Sequence, residues 1–567
     1  MIAKLMFFIH TEKVFLLLLQ KNNNNMKLKK FILTFSMFLL MSQIVAARNV
    51  EVKISKCSKP ISENLNKVIK TLDTNDCLII YFDKPGKYEI DGTVETRCNT
   101  IIKGLSPSST QLIMKEGFKN GKSKFTDDCF LSMIGKPSHK IKVEIKDVAI
   151  KLADHKGILW EKAPKYMVKI YHSDGLIVDN VEFLAYNAAI TNLDLRNCSN
   201  VLVQNCTFEN YNNCLIGGSL WSRGYQDNIV IKNNRFWKYG NDESLAIWAG
   251  SDKNATLIKN IIIDGNEFYY ENKKKCNKNI SIDMLINFAH YGDEYVSHNC
   301  TISDITFKNN TITNNAQSKR NLRFHFDNTA TLEGTIEVAN NTIRNTSKCQ
   351  VTDGYMTDII IDTGSKNRGD FKISDNNVYN EAQILCDGKH SGYTFLGMNN
   401  GNVTMTNNYI QSDYPITFVW GHGGYNTLNL YNNVVSELSK MAMFNSSKKL
   451  EKIVINAANN EFTGDTRIYS NSIDELELNF TNNIFNSSNP HVFLQEGAPL
   501  TSIIFDGNTV NALNRNGTLF ANYSGKPYKF TRLQVTNNIF NGVTKKSIDD
   551  SFMKNVTKKN IQNNIYK

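Results

Sequence analysis

The chain has 567 residues, of which 41% are apolar and 21% are charged, and this balance excludes an intrinsically disordered polypeptide. Its formal net charge is +11, but the first 47 residues hold six Lys and one Glu, so the remainder carries only about +6. This mild surplus suits an acidic ligand. There is no P-loop, dinucleotide fingerprint or zinc-type Cys/His spacing, and nucleic-acid binding is not expected.

Residues 1–47 are expected to be an upstream extension followed by a secretory signal peptide. Met26-Lys-Leu-Lys-Lys30 is basic, residues 31–45 are an apolar run, and Val45-Ala-Ala47 supplies small residues for cleavage after Ala47. No other apolar run is long enough for a membrane span. The mature chain is therefore expected to be secreted, to the periplasm or the extracellular space.

Residues 48–140 are expected to form an N-terminal cap and the first coils. Within them, Leu65, Val68, Ile69 and Leu72 share one face of a helix predicted over residues 62–72. Apolar strands follow. Among them stand two phrases, Asp83-Lys-Pro-Gly-Lys-Tyr88 and Thr100-Ile-Ile-Lys-Gly-Leu-Ser-Pro-Ser-Ser-Thr110.

From residue 141 to residue 567 an eight-residue pattern recurs, of which Leu533-Gln-Val-Thr-Asn-Asn-Ile-Phe540 is one copy. The pattern is apolar, any, apolar, any, Asn/Asp/Gly, usually Asn, any, apolar. Successive copies begin 23 to 44 residues apart, which is the period of a solenoid. The remainder of each repeat is left for a loop and a further strand.

The fifth position of the pattern accepts only the residues that adopt a left-handed backbone at least cost. It holds Asp147, Asn180, Asn205, Asn233, Gly265, Asn309, Asn340, Asp375, Asn407, Asn432, Asn459, Asn482, Gly507 and Asn537. The sixth position is Val148, Val181 and Cys206 in the first rows and Asn in every later row. A column of inward Asn is expected to pair from coil to coil, because a buried amide left unpaired is costly.

Together, the two N-terminal phrases and the Asn rows resemble the pectin-lyase-like superfamily over roughly residues 60–567. The resemblance implies an all-β, right-handed, single-stranded parallel β-helix with an N-terminal capping helix. It also implies three strands per coil and a substrate groove on the sheet formed by the third strands. It carries over no catalytic residue, because this fold hosts many chemistries. Third strands are expected at residues 244–248, 282–288, 322–327, 358–362, 393–396 and 416–420.

The best candidate for chemistry is Leu322-Arg-Phe-His-Phe-Asp327. Its apolar residues alternate inward, so Arg323, His325 and Asp327 are expected to share the outer face. β-Elimination of a uronate glycan needs a group that neutralises the carboxylate and a base beside it. Arg323 and His325 fit these roles, with Asp327 or Asp362 orienting the imidazole. The alternative is a solvated ladder of salt bridges.

The neighbouring coils are expected to complete the groove. Asn287 lies below the trio, and Asp358 and Asp362 lie above it. The longest repeat, with its loops, adds His290 and Tyr291 as further candidates for proton transfer, although a surface loop stapled by Cys276 and Cys300 is an equal alternative.

Two tryptophans at strand exits, Trp248 and Trp420, are expected to bind sugar rings, or else to serve in the core. Asn241-Asp-Glu-Ser244 holds neighbouring acids of the kind that a glycoside hydrolase uses in pairs, but neighbours in a strand point in different directions. Turn acids are the preferred interpretation. No metal ligands are assigned and no cofactor is expected, with a bound calcium ion left open.

The sequence therefore favours a secreted, monomeric polysaccharide-degrading enzyme. The preferred class is a lyase that cleaves an acidic, uronate-containing glycan, such as a glycosaminoglycan or a pectic polymer, by β-elimination. A glycoside hydrolase on the same fold and a non-catalytic glycan-binding rod are the alternatives.

Overall fold

A computed structural model was analysed. It describes residues 47–567 except 120–128, 153–165, 187–190, 212–217, 240–242, 250–256, 272–284, 291–299, 316–319, 328, 347–355, 364–368, 382–392, 399–400, 414–415, 419–423, 441–449, 465, 470–472, 488–491, 496–499, 513–518, 523–528, 544–555 and 557. For some strand residues it describes the backbone only. The expected extension and signal peptide lie outside the described residues, apart from Ala47.

The described chain winds into a right-handed parallel β-helix whose coils each contribute to three parallel sheets. Every strand pairs in parallel with the strand one coil away, for example Leu478 with Ile503 and Ile503 with Leu533. The predicted fold class is confirmed. The three sheets continue into one another where long strands run around a corner.

The first sheet contains Asn49–Lys53, Cys77–Tyr81, Asn99–Lys103, Ile141–Leu152, Ser173–Tyr186, Thr191–Gln204, Leu220–Lys232, Leu257–Asp264, Cys300–Lys308, Ala330–Ala339, Asp370–Ser374, Gly401–Thr406, Gly424–Tyr431, Leu450–Ala458, Ile473–Thr481, Leu500–Asp506, Lys529–Thr536 and Lys559–Gln562. The second contains Gly86–Gly92, Thr110–Lys119, the ends of Ile141–Leu152 and Ser173–Tyr186, Thr207–Tyr211, Arg235–Tyr239, Glu267–Glu271, Thr311–Asn315, Thr342–Asn345, Asn377–Asn380, Tyr409–Ser412, Val434–Val435, Glu461–Thr463, Ile484–Ser487, Thr509–Ala512, Ile539–Asn541 and Ile565–Tyr566.

The third sheet contains Val94–Thr96, Cys129–Ile134, Tyr166–Tyr171, the beginnings of Thr191–Gln204 and Leu220–Lys232, Leu245–Trp248, Ile286–His290, Arg320–Phe326, Met356–Thr363, Tyr393–Met398, Ile416–Thr417 and Leu438–Lys440. Arg467–Tyr469, Val492–Gln495 and Phe520–Asn522 pair with one another as a separate three-stranded sheet.

The bend between the first and second sheets is formed by the fifth position of the repeat. All fourteen residues expected there have positive φ, between 54° and 66°. Directly after the bend, the sixth-position Asn side chains are buried in single file from Asn234 to Asn538. Both predictions are confirmed.

Asn341 shows how the file is bonded. Its Oδ1 accepts hydrogen bonds from the backbone N–H of Asn310 at 2.8 Å and from Nδ2 of Asn310 at 3.2 Å. Its Nδ2 donates to Oδ1 of Asn376 at 2.9 Å and to the carbonyl oxygen of Phe307 at 3.0 Å. Each amide therefore satisfies a backbone N–H that the bend removes from the sheet ladder. The file continues through Asn234, Asn266, Asn310, Asn341, Asn376, Asn408, Asn433, Asn460, Asn483, Asn508, Asn538 and Asn564.

A second bend, which was not predicted from the sequence, joins the third sheet to the first. Its residues also have positive φ, among them Asn228, Asn260, Asp304 and Gly334. Inside the coils, Phe183, Phe208, Phe236 and Phe268 stack with ring centroids 4.7 to 4.8 Å apart, which is the spacing of the rows.

The predicted capping helix is present as Ile61–Ile69. Ile61 and Leu65 are 6% and 2% exposed, so this face is buried against the first coils. Nδ2 of Asn66 donates to the carbonyl oxygen of Thr93 at 2.8 Å. The helix thus covers apolar strand ends that would otherwise invite aggregation.

Cys206, at the sixth position of the repeat, is a free, buried thiol, and burial raises its pKa to about 12. Cys300 is also a free thiol, so the alternative of a loop stapled by Cys276 and Cys300 is wrong. Within the described part of the chain, no helix has the length and apolar character needed to cross a lipid bilayer.

We expect Asn341→Ala to destabilise the β-helix by about 3 kcal/mol, because it leaves the Asn310 N–H and the Asn376 amide without their buried partner. Urea unfolding followed by circular dichroism measures the effect. Asn340→Gly is the matched control one residue away, since Gly occupies the same bend position at Gly265 and Gly507. Equal midpoints for the two variants would contradict the role assigned to the file.

Candidate functional site

The outer face of the third sheet carries the predicted trio on the strand Arg320–Phe326. Leu322, Phe324 and Phe326 are at most 1% exposed and point into the coils. Arg323 and His325 alternate with them and are half-buried on the outer face. The predicted alternation is therefore found, and it places a cation and an imidazole side by side.

Arg323 contacts His325 directly: its Nη2 lies 3.0 Å from Nδ1 of the imidazole. A guanidinium can only donate, so Nδ1 accepts, and a neutral ring then carries its proton on Nε2. The guanidinium therefore sets the tautomer of the neutral His325 ring. The sequence had instead predicted that Asp327 or Asp362 orients the imidazole.

Asp327 follows the end of this strand, where it forms a turn. Its Oδ1 accepts hydrogen bonds from the backbone N–H of Thr329 at 2.9 Å and from Oγ1 of Thr329 at 2.7 Å. These bonds hold the chain as it leaves the sheet. The described hydrogen bonds of Oδ1 thus go to Thr329, and the expectation that Asp327 orients the imidazole is not supported by them.

The rows on either side place two predicted residues beside the pair. Asn287 is directly opposite Arg323 in the strand register, and Asp362 is opposite His325 one row further. Asn287 is 3% exposed, and its Nδ2 lies 3.4 Å from Oε1 of Glu243. For Asp362 the structure describes the backbone alone.

Three other predicted positions are not described to the same depth. His290 ends the strand Ile286–His290, and only its backbone is described. Tyr291 and Trp420 lie outside the described residues.

Asp358, expected above the groove, is instead fully buried at the corner between the second and third sheets. Its Oδ1 accepts hydrogen bonds from Nδ2 of Asn321 and Nδ2 of Asn345, each at 2.7 Å. Oδ1 of Asn321 in turn accepts a hydrogen bond from Nδ2 of Asn314 at 2.9 Å. These amides satisfy a buried carboxylate, and Asp358 belongs to the interior of the coil.

Trp248 lies on the outer face two rows before the trio. It belongs to a group of side chains that was not predicted from the sequence. We call this group the basic–aromatic cluster. It comprises Tyr166, Lys169, Tyr171, Asp194, Arg196, Trp221, Arg223 and Trp248, on four consecutive rows of the third sheet.

Asp194 is the centre of this cluster, and its side chain is 0% exposed. Nε of Arg223 donates to its Oδ1 at 2.9 Å, and Nη2 of Arg223 bonds the same oxygen. The hydroxyl of Tyr171 donates to Oδ2 at 3.0 Å. Nε of Arg196 lies 3.6 Å from Oδ2, which is ion-pairing distance. One carboxylate thus faces two guanidinium groups.

Aromatic rings surround the cations. Nζ of Lys169 lies 4.5 Å from the ring centroid of Tyr166 and 5.5 Å from that of Tyr171. The guanidinium carbon of Arg223 lies 5.3 Å from the ring of Trp221 and 6.0 Å from that of Trp248. Cation–π contacts of this kind are worth about 0.5–2 kcal/mol each.

Burial controls the protonation of the cluster. Burial, followed by the charge of Asp194, raises the pKa of Tyr171 well above its ordinary value, so Tyr171 remains a hydrogen-bond donor. Burial alone would lower the pKa of Arg223, but Asp194 and Tyr166 outweigh it, and the pKa of Arg223 is raised.

The indole of Trp221 packs directly against the backbone of Gly218. A Cβ added at Gly218 would lie 2.0 Å from Nε1 of Trp221. Any larger residue at this position would displace the indole, so Gly218 holds one of the aromatic rings in place.

The cluster was missed for a structural reason. Its strands Thr191–Gln204 and Leu220–Lys232 run without interruption from the third sheet into the first, so no loop marks where the third strand ends. The signal was present nevertheless: Leu193-Asp-Leu-Arg196 alternates in the same way as Leu322-Arg-Phe-His325.

The strand pairing described above gives the fold as a right-handed parallel β-helix. No protein-family model and no curated protein matches the chain. Among solved structures, the chain is similar to the catalytic domain of a GH87 alpha-1,3-glucanase in complex with tetrasaccharides. The two sequences are 12% identical and the TM-score is 0.36. The match covers 87% of this chain and 69% of that chain.

A second GH87 alpha-1,3-glucanase, from Streptomyces thermodiastaticus, is 13% identical, with a TM-score of 0.30 and coverage of 88% of this chain and 69% of that chain. The PL6 family alginate lyase AlyGC is 13% identical, with a TM-score of 0.23 and coverage of 92% of this chain and 100% of that chain. The assignment of the fold rests on the strand pairing described above.

In the ranges that the structure describes, no group of three or more His, Cys, Asp or Glu side chains is arranged to hold a metal ion.

We expect Asp194→Asn to lower the free energy of unfolding by about 3 kcal/mol, because it leaves the buried guanidinium of Arg223 without its counter-charge. Chemical denaturation measures the loss. Combining Asp194→Leu with Arg223→Met should recover part of the stability, since neither charge then remains.

The control for this prediction is the more exposed ion pair of Arg97 and Glu95, whose side chains are 55% and 19% exposed. Arg97→Ala is expected to cost less than about 1 kcal/mol. A loss as large as that of Asp194→Asn would show that burial is not what makes Asp194 important.

Proposed function

We propose that this protein is a secreted, monomeric, glycan-degrading enzyme, and specifically a lyase that cleaves an acidic, uronate-containing polysaccharide by β-elimination. The observation that carries the proposal is the contact between the Arg323 guanidinium and the His325 imidazole at 3.0 Å on the outer face of the third sheet. The same face carries Arg223 and Arg196 further along.

The two side chains match the two demands of the reaction. A uronate carboxylate must be neutralised before the proton on the adjacent carbon becomes acidic enough to remove, and a base must accept that proton. Arg323 is suited to the first role because a guanidinium binds a carboxylate through two parallel hydrogen bonds. His325 is suited to the second because an imidazole with a free lone pair on one ring nitrogen can accept a proton as a general base.

The observed contact links these two steps. Nδ1 of His325 accepts a hydrogen bond from Arg323, so its lone pair is occupied. A substrate carboxylate is a stronger acceptor for the guanidinium than a neutral imidazole. When Arg323 turns to the carboxylate, the lone pair of Nδ1 is released and becomes available as the base, so that proton abstraction follows substrate binding.

The remaining expected residues complete the proposal. Tyr291 and His290 are candidates to donate a proton to the leaving sugar oxygen, and Asp362 is a candidate to orient the imidazole from the next row. Trp248, Trp420 and Asn287 are proposed to contact the sugar rings. The cationic rows suit a polyanionic chain, such as a pectic polymer or a glycosaminoglycan.

We expect His325→Ala and Arg323→Ala each to lower the rate of cleavage about 10²–10⁴-fold, as removal of a catalytic base or an electrostatic clamp does. The assay follows the ultraviolet absorbance of unsaturated chain ends during incubation with polygalacturonate, alginate and chondroitin.

Arg344→Ala is the matched control, because Arg344 lies over the ring of Tyr379 on the outside of the second sheet. It should retain full activity. New reducing ends without absorbance would indicate a glycoside hydrolase instead. Binding of glycan with no product of either kind would indicate a non-catalytic rod.

A further inference from the structure

Lys169 is a largely buried lysine that makes no ion pair within the described chain. The residue is only 6% exposed, although it lies on the outer face of the third sheet. Among the described residues, no carboxylate lies within ion-pairing distance of its Nζ and no side chain or backbone group accepts a hydrogen bond from it. Its recorded partners are the rings of Tyr166 and Tyr171.

The rings alone do not balance the burial of this charge. Cation–π contacts return only part of the hydration that an ammonium loses when its side chain is buried. A lysine in this position is therefore favoured when an anion can reach its Nζ.

Three neighbouring donors are also unsatisfied. Within the described chain, Oγ of Ser132, Nε of Arg196 and Nε1 of Trp221 are buried and make no hydrogen bond. Ser132 is directly opposite Lys169, and Trp221 and Lys169 flank Asp194 in one column of the sheet. Three buried, unsatisfied donors thus lie on rows adjacent to Lys169 or next to its neighbours, and they require oxygen acceptors.

The charge balance points the same way. Lys169, Arg196 and Arg223 supply three positive charges, and Asp194 supplies one negative charge that Arg223 and Tyr171 already engage. The side chain of Arg196 is 39% exposed, so the cluster is open to solvent at this row.

We infer that Lys169, Arg196 and Ser132 form a subsite for the carboxylate group of an acidic glycan, with Trp221 and Trp248 as stacking surfaces for its sugar rings. This subsite deepens the proposed function and rests on it for the identity of the ligand. It would hold the substrate chain at a distance from the reacting bond.

The geometry fits one extended chain. Lys169 and Arg323 are in the same column, five rows apart, which is about 24 Å at the spacing of parallel strands. An oligosaccharide of several residues that lies along the column would contact the subsite at one end and His325 at the other.

The test measures equilibrium binding of oligogalacturonate in a His325→Ala background, in which turnover is removed. Lys169→Met is expected to weaken binding about tenfold, as the loss of one charge-assisted contact does, and to reduce its dependence on salt. Lys169→Arg should retain most of the affinity. Lys259→Met, at a half-buried lysine on the strand Leu257–Asp264 of the first sheet, should change it less than twofold.

Thermal unfolding separates binding from folding. Lys169→Met replaces a buried charge with an apolar chain of similar length, so its Tm should be equal or higher while its affinity falls. Should it fold poorly, Arg196→Gln provides the same comparison at a more exposed position. Unchanged affinity in a folded Lys169→Met or Arg196→Gln variant would overturn the inference.

The probes separate the possible ligands and the two proposals. Chondroitin and its sulfated form distinguish a carboxylate subsite from one for sulfate, and a neutral glucan tests whether charge is needed at all. Preference for sulfate, or equal binding of the neutral glucan, would overturn the carboxylate assignment. Binding that depends on Lys169, without unsaturated products, would support the subsite and contradict the proposed lyase activity. Cleavage together with binding that does not depend on Lys169 would support the lyase activity and contradict the subsite.

Discussion

The single file of buried Asn side chains is the constraint on which the rest of this molecule depends. At each bend the chain leaves the regular ladder of the first sheet, and a backbone N–H loses its strand partner. Oδ1 of the Asn one row further accepts that N–H, as Asn341 does for Asn310 and Asn376 does for Asn341. Since every amide depends on the next, one row cannot shift in register without breaking contacts in two others.

This interior bonding leaves the outer face of the sheets free to vary. Inward positions are occupied by stacked Phe and by aliphatic residues, so the register of each strand is determined by its buried half. The alternate residues can then carry charge without loss of the fold. The third sheet uses this freedom most, because its outer face holds Lys169, Arg196, Arg223, Arg323 and His325 on four rows within a span of six.

Two kinds of polar burial are found in the molecule, and they differ in how completely they are satisfied. The Asn file and the corner around Asp358 satisfy their donors and acceptors internally, which is what a structural network requires. The basic–aromatic cluster does not, because Nε of Arg196 and Nε1 of Trp221 are buried donors without acceptors in the described chain. That contrast is the physical reason for treating the cluster as a binding surface and Asp358 as part of the core.

The repeat alone determined the fold. Asn, Asp and Gly at the fifth position, and Asn at the sixth, have few other conformational uses, so the bends, the amide file and the alternation around Arg323 and His325 were all predictable. Tertiary structure decided which outward residues meet. The basic–aromatic cluster forms only when the rows stack, because Lys169, Asp194 and Arg223 are 25 to 54 residues apart in sequence. Asp358 is buried at a corner that no local sequence pattern indicates. Cys300 is a free thiol, which its spacing from Cys276 did not indicate. Local alternation specifies the face on which a side chain lies, whereas its partners across the rows depend on loop lengths that set how the coils align.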